Sequence, residues 1–88
     1  MEKTKRVRRK SKAGAAFGNV LREIRVAKGW TQEDLAYETR LERTYISLLE
    51  RGRGQPTLSV ILEIANCTGI SAPELIRKVV EALDTTKR

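Results

Sequence analysis

The sequence predicts an all-α fold of five short helices behind a basic N-terminal arm. Three observations predict it. Apolar residues recur at three- and four-residue spacing from Phe17 to Leu83, the period of helices buried on one face. No stretch alternates polar and apolar residues long enough to suggest a strand. Capping residues and glycines punctuate the pattern where helices would start and stop.

Helix 1 is expected over about 16–28, on the spacing of Phe17, Val20, Leu21 and Ile24, with Gly29 as the left-handed residue that ends it. Thr31 caps the second helix and Asp34, three positions on, returns the hydrogen bond. That helix ends near Thr39, with Leu35 and Ala36 facing inward. A turn Arg40-Leu41-Glu42 leads to helix 3, about 43–51, whose inner face is Ile46 and Leu49. Gly52 and Gly54 break it. Pro56 and Thr57 open helix 4, about 58–67, apolar at Leu58, Ile61, Leu62, Ile64 and Ala65 and closed by Gly69. Ser71 and Glu74 form a second capping box, with Pro73 in the first turn, where its missing amide does no harm. Helix 5, about 72–83, carries Leu75, Ile76, Val79, Val80 and Leu83, and the chain frays from Asp84.

Charge divides the chain. Its formal net charge is +7. Residues 1–15 hold seven basic side chains (Lys3, Lys5, Arg6, Arg8, Arg9, Lys10, Lys12) against Glu2, whereas the rest is nearly balanced. Residues 1–15 therefore read as a basic arm, disordered until bound, and 16–84 as the folded domain. Such an arm suits a polyanion, nucleic acid in the simplest case. A solubilising tail is the bland alternative.

Composition narrows the chemistry. There is no histidine, the usual general base and metal ligand, and Cys67 is the single cysteine. No metal site, no bound cofactor, no small-molecule ligand and no enzymatic activity are expected. Cys67 lies in an apolar stretch and reads as a small buried hydrophobe. No apolar run approaches the ~20 residues of a membrane span, and the N-terminus lacks the apolar core of a secretory signal, so a cytoplasmic location is expected.

Thr31 to Gly52 is the segment most telling of function. It reads as two short helices about a tight turn, the second with a polar outer face of Arg43, Thr44 and Ser47. That layout suits a helix lying in a DNA major groove.

Residues 17–76 resemble the helix-turn-helix domain of the lambda-repressor and Cro type, the XRE family. The resemblance rests on Leu21-Arg22-Glu23-Ile24-Arg25, Gly29, Thr31-Gln32, Leu35-Ala36, Ile46-Ser47, Glu50-Arg51-Gly52, and Leu58 through Ile64-Ala65. Arg43-Thr44-Tyr45-Ile46-Ser47 and the chain length look most like the controller proteins of restriction-modification systems. The resemblance implies a transcriptional regulator that binds double-stranded operator DNA. It places Gln32 on a phosphate and makes Arg25 and Glu50 a partly buried ion pair tying helix 1 to helix 3. It also makes helix 5 a two-fold interface.

On this reading Arg43, Thr44, Ser47 and Leu48 contact bases: Arg43 a guanine edge, Thr44 and Leu48 thymine methyls. Thr31, Gln32, Tyr45, Arg51, Arg53 and Gln55 contact phosphates. Ile76, Val79, Val80 and Leu83 either continue the core or form the interface of a homodimer. A dimer would set two recognition helices about one DNA turn, roughly 34 Å, apart on a palindromic operator. Bound over a promoter the protein would block RNA polymerase; bound upstream it would recruit polymerase, through Glu33 and Asp34. Alternatives are an antitoxin, a phage or plasmid repressor of the same fold, and an interaction module whose basic arm binds RNA or an anionic membrane.

Two departures from the family pattern stand out. Arg40 occupies the turn position that usually holds glycine, so a side chain is expected at positive φ, at about 1 kcal/mol of strain. Glu42 stands where a serine cap is usual, and glutamate caps poorly.

Overall fold

The computed structural model describes residues 11–87. It has five helices in the expected order: α1 (Lys12–Ala27), α2 (Gln32–Thr39), α3 (Arg43–Glu50), α4 (Leu58–Thr68) and α5 (Ala72–Lys87). No strand occurs among the described residues, and no described helix is long and apolar enough to cross a membrane.

The caps form as the chemistry requires. Thr31 Oγ1 accepts from the Asp34 amide at 3.0 Å and Asp34 Oδ2 accepts from the Thr31 amide at 2.8 Å, a complete capping box. Thr57 Oγ1 accepts from the Val60 amide, and Ser71 Oγ from the Glu74 amide. Glu74's carboxylate pairs with Arg77, which holds it below the usual carboxylate range. Gly29 and Gly69 end their helices at φ 75° and 79°.

Both anomalies of the turn are real. Arg40 adopts φ 62°, ψ 26°, and Glu42 precedes α3 with no side-chain cap hydrogen bond. Arg40→Gly should raise stability by up to about 1 kcal/mol, less the extra freedom glycine gives the unfolded chain. The denaturant midpoint reads this directly, and a fall would mean that the Arg40 side chain makes an offsetting contact.

Two boundaries differ from expectation. Helix α1 begins at Lys12, not near 16, because Ser11 caps it: its Oγ accepts from the Gly14 amide at 2.9 Å. Residues 11–15 thus belong to the cap and first turn of α1, whereas the arm reading for residues 1–10 lies outside the described residues. The first turn of α1 buries glycine and alanine, Gly14 and Ala16, which an apolar periodicity does not register. At the other end, α5 runs on to Lys87 instead of fraying from Asp84.

The core is aliphatic and draws on every helix. Leu21, Leu35, Ile46, Leu49, Ile64 and Leu75 are fully buried; Phe17 is buried with them, and Trp30 and Tyr45 pack half-buried against the cluster. Helix α1 packs on α3 and α5, α2 on α3 and α4, and α4 on α5. The α1–α3 contact is unusually close. A Cβ on Gly18 would lie 2.4 Å from the Leu49 carbonyl oxygen and 2.8 Å from that of Glu50. Gly14 lies likewise against the Gly52 and Gly54 carbonyls, so two glycines four residues apart let α1 lie on the end of α3 and its following loop. The end of α3 is therefore fixed from behind by backbone.

Candidate nucleic-acid interface

Helix α3 buries Ile46 and Leu49 and turns its other face outward. Arg43 and Thr44 are exposed, and Ser47 and Leu48 are half-buried. The four residues assigned to base contact thus lie along one short helix. Leu48 also packs beside Gly54, whose added Cβ would meet its side chain at 3.4 Å.

Behind this face lies the Arg25–Glu50 pair. Arg25 Nε and Nη2 donate to Glu50 Oε2 and Oε1 at 2.6 and 3.0 Å, and Arg25 Nη1 donates to the Trp30 carbonyl at 2.8 Å. The Glu50 side chain is 4% exposed and that of Arg25 13%. Hydrogen bonding to Glu50 raises Arg25 above its ordinary pKa, against the opposing effect of burial. The pair joins α1 to the last residue of α3, as the resemblance implies.

Gln32 extends the pair to the surface. Its Nε2 donates to Glu50 Oε1 at 3.0 Å, and its Oε1 accepts from Arg43 Nη1 at 3.1 Å. The orientation follows from chemistry: a carboxylate only accepts and a guanidinium only donates, so the amide can face just one way. Glu33 closes the arrangement, its Oε2 lying 3.2 Å from Arg43 Nε. The first two residues of α2 therefore hold the first residue of α3.

Several of the other assigned side chains have partners within the chain. Gln32, expected on a phosphate, lies between Glu50 and Arg43. Gln55 Nε2 donates to Ser11 Oγ at 2.7 Å, so this side chain ties the loop after α3 to the root of α1. Tyr45 is half-buried and packs against the core. Arg51 Nε donates to Ser47 Oγ at 3.3 Å, and both Arg51 and Arg53 are exposed. The Thr31 hydroxyl accepts within its capping box. Asp34, expected to meet polymerase, is the other half of that box, and Glu33 faces Arg43. Sequence reasoning missed Glu33 as a partner of Arg43 because the two are adjacent only across the turn. It missed Ser11 because a serine in a basic run looks like tail.

On α5, Val79 is 9% exposed and belongs to the core of one chain, and Leu83 is half-buried against it. Ile76 and Val80 remain 42% and 47% exposed, with Leu58 and Leu62 of α4 at 71% and 49%. Core duty thus claims half of the residues assigned to an interface, and α4 contributes apolar surface that was not assigned to one. Cys67 is half-buried, with its thiol donating to the Glu38 carbonyl. Burial is the main cause that pushes it up to about 11, so it stays a neutral thiol at neutral pH.

Comparison with known proteins decides the family. Residues 21–75 match the helix-turn-helix profile HTH_3. The chain belongs to this helix-turn-helix family. Among its relatives, the control protein C.BamHI of Bacillus amyloliquefaciens is 41% identical over 61 residues, which are 68% of this chain and 75% of that one. A hypothetical transcription factor of Neisseria meningitidis serogroup B is 45% identical over 56 residues, 64% of this chain; the chain spans about half of that relative's length, 53%. The fold is similar to the restriction-modification controller protein C.Esp1396I, solved as a tetramer in complex with its natural 35-base-pair operator. That likeness has a TM-score of 0.75 at 33% identity and covers 83% of this chain and 96% of that one. The helix-turn-helix protein described here is a transcriptional regulator of the XRE type, similar to restriction-modification controllers.

Proposed function

We propose that this regulator binds double-stranded DNA sequence-specifically, as a homodimer on a palindromic operator, in the manner of a restriction-modification controller. The observation that carries the reading is the placement of Arg43. Its guanidinium stands exposed at the start of α3, held by Gln32 and Glu33, with Gln32 anchored in turn on the buried Glu50. An exposed arginine of fixed direction is what a guanine edge requires, since O6 and N7 accept two parallel hydrogen bonds. Thr44, Ser47 and Leu48 extend the base-contacting face, and the exposed Arg51 and Arg53 reach the sugar-phosphate backbone. Thr31 caps a helix whose N-terminal amides favour an anion. The exposed Ile76 and Val80, with Leu62, supply apolar area for a two-fold contact of modest size, in which Leu83 joins at the edge. Occupancy of a promoter then regulates it, whether by excluding RNA polymerase or by contacting it.

Selection from a random duplex library tests the reading. The expected result is a palindromic motif with half-sites about one helical turn apart. Recovery without a motif would reduce the interaction to charge. Arg43→Ala should weaken binding to the selected site by about 1–3 kcal/mol and relax the preference at one base pair per half-site. An unchanged preference would remove Arg43 from base reading.

A further inference from the structure

We propose that Glu33 is a specificity-determining residue, which restricts Arg43 to base edges and keeps it off phosphates. The inference deepens the proposed function and rests on it. Arg43 has five N–H donors in a planar fork. Glu33 faces the Nε side at 3.2 Å, and Gln32 Oε1 takes one Nη1 donor at 3.1 Å. Both holding groups sit on the first turn of α2, and Gln32 is fixed by Glu50, whose side chain is 4% exposed. One hold on the fork is thus anchored on a buried carboxylate and the other lies at the surface, and donors on Nη1 and Nη2 stay open for two parallel acceptors.

A guanine edge and a phosphate compete for those donors. The phosphate carries a full negative charge and occurs in every sequence; the guanine edge is neutral and occurs at defined positions. Glu33, 70% exposed beside the fork, offsets the charge of Arg43 and repels a phosphate that approaches it. Most of what attracts Arg43 to phosphate is electrostatic and is cancelled. The directional hydrogen bonds to a guanine are cancelled far less. Glu33 therefore weakens binding to arbitrary DNA more than binding to the operator. The two side chains are well exposed, at 48% and 70%, so the effect is a several-fold discrimination and not an on–off switch.

The test is Glu33→Gln in the full chain, an isosteric change at an exposed position. Affinities for the selected operator and for a scrambled duplex are measured across a salt series. The expected result is scrambled-DNA binding tightened by about 3- to 5-fold with its salt slope steeper by about one, and operator binding changed by less than about 2-fold. Glu33→Asp should recover part of the lost ratio. Arg43→Ala should abolish the effect of Glu33→Gln on the ratio. Equal tightening on both duplexes would overturn the proposal, because it would show a general charge effect. Weaker operator binding would overturn it too: glutamine keeps an oxygen that can accept from Arg43 Nε, so a loss would show that the charge of Glu33 serves to hold the fork and not to discriminate. A ratio that shifts with Arg43 already removed would show that the effect bypasses Arg43. If the wild-type chain prefers no sequence at all, it is the base-reading function that fails, a result distinct from an operator preference that survives Glu33→Gln.

Discussion

Replacing Arg25 with alanine is expected to cost about 3–5 kcal/mol of folding stability, a large part of what a domain this small possesses. The Glu50 side chain is 4% exposed and loses two of the three side-chain hydrogen bonds it accepts, keeping the Gln32 amide. The uncompensated buried carboxylate is the source of the cost, more than the lost attraction. Glu50→Ala should cost a similar amount by stranding the Arg25 fork, and it also frees Gln32 and hence Arg43. The double variant Arg25→Met/Glu50→Leu should recover much of the loss, since an apolar pair leaves no orphaned charge. Thermal unfolding followed by circular dichroism decides the matter. Each single variant should fall by roughly 12–40 °C at the 4–8 °C per kcal/mol of a domain this size. Additive costs in the double variant would show that the two residues act separately.

The second large effect concerns a residue with no side chain. Gly18→Ala should destabilise by about 1–3 kcal/mol, although alanine is the better helix former. The new methyl would sit 2.4 Å from the Leu49 carbonyl oxygen and 2.8 Å from that of Glu50. Both are backbone atoms at the end of α3, so relief requires moving the helix. Gly69→Ala is the informative contrast. Its φ is 79° but nothing lies within 4 Å of the added methyl, so its cost is conformational strain of about 1 kcal/mol and it displaces nothing. Amide chemical shifts separate the two: Gly18→Ala should perturb α3 from a position on α1, whereas Gly69→Ala should perturb only its own surroundings. A Gly18→Ala variant with unshifted α3 amides would show that α1 yields instead.

The contrast explains which parts of the molecule were legible in the sequence. Caps and turn residues act over three or four positions, so Thr31 with Asp34, Thr57, Gly29 and Gly69 could be read directly, whereas the strain at Arg40 followed from the family's glycine at that turn. The XRE resemblance then supplied the Arg25–Glu50 pair, whose members are 25 residues apart. Contacts made by the absence of a side chain could not be read: Gly14 and Gly18 are buried through close approach, and the start of α1 disappeared into the basic run. Nor could division of labour within a stripe. Val79 and Val80 are equivalent by composition, and only the packing of α5 on α1 and α4 buries the first and exposes the second. At the candidate interface the outward face of α3 was legible and the intramolecular partners of its side chains were not. Nothing in the residues beside Gln32 tells that a carboxylate lies on one side of it and a guanidinium on the other, because Glu50 and Arg43 are 18 and 11 residues away.

The tie between Ser11 and Gln55 has a geometric consequence. It fixes the position of Ser11 against the loop that leaves α3. Bond lengths alone then set an upper limit of roughly 26–29 Å between Ser11 and Lys3, eight residues earlier, which is less than one turn of a duplex. Six cationic residues (Lys3, Lys5, Arg6, Arg8, Arg9 and Lys10) precede Ser11 within that length of chain. A polyanion bound along α3, as proposed, would therefore have six countercharges tethered within one helical turn of the Gln55 loop.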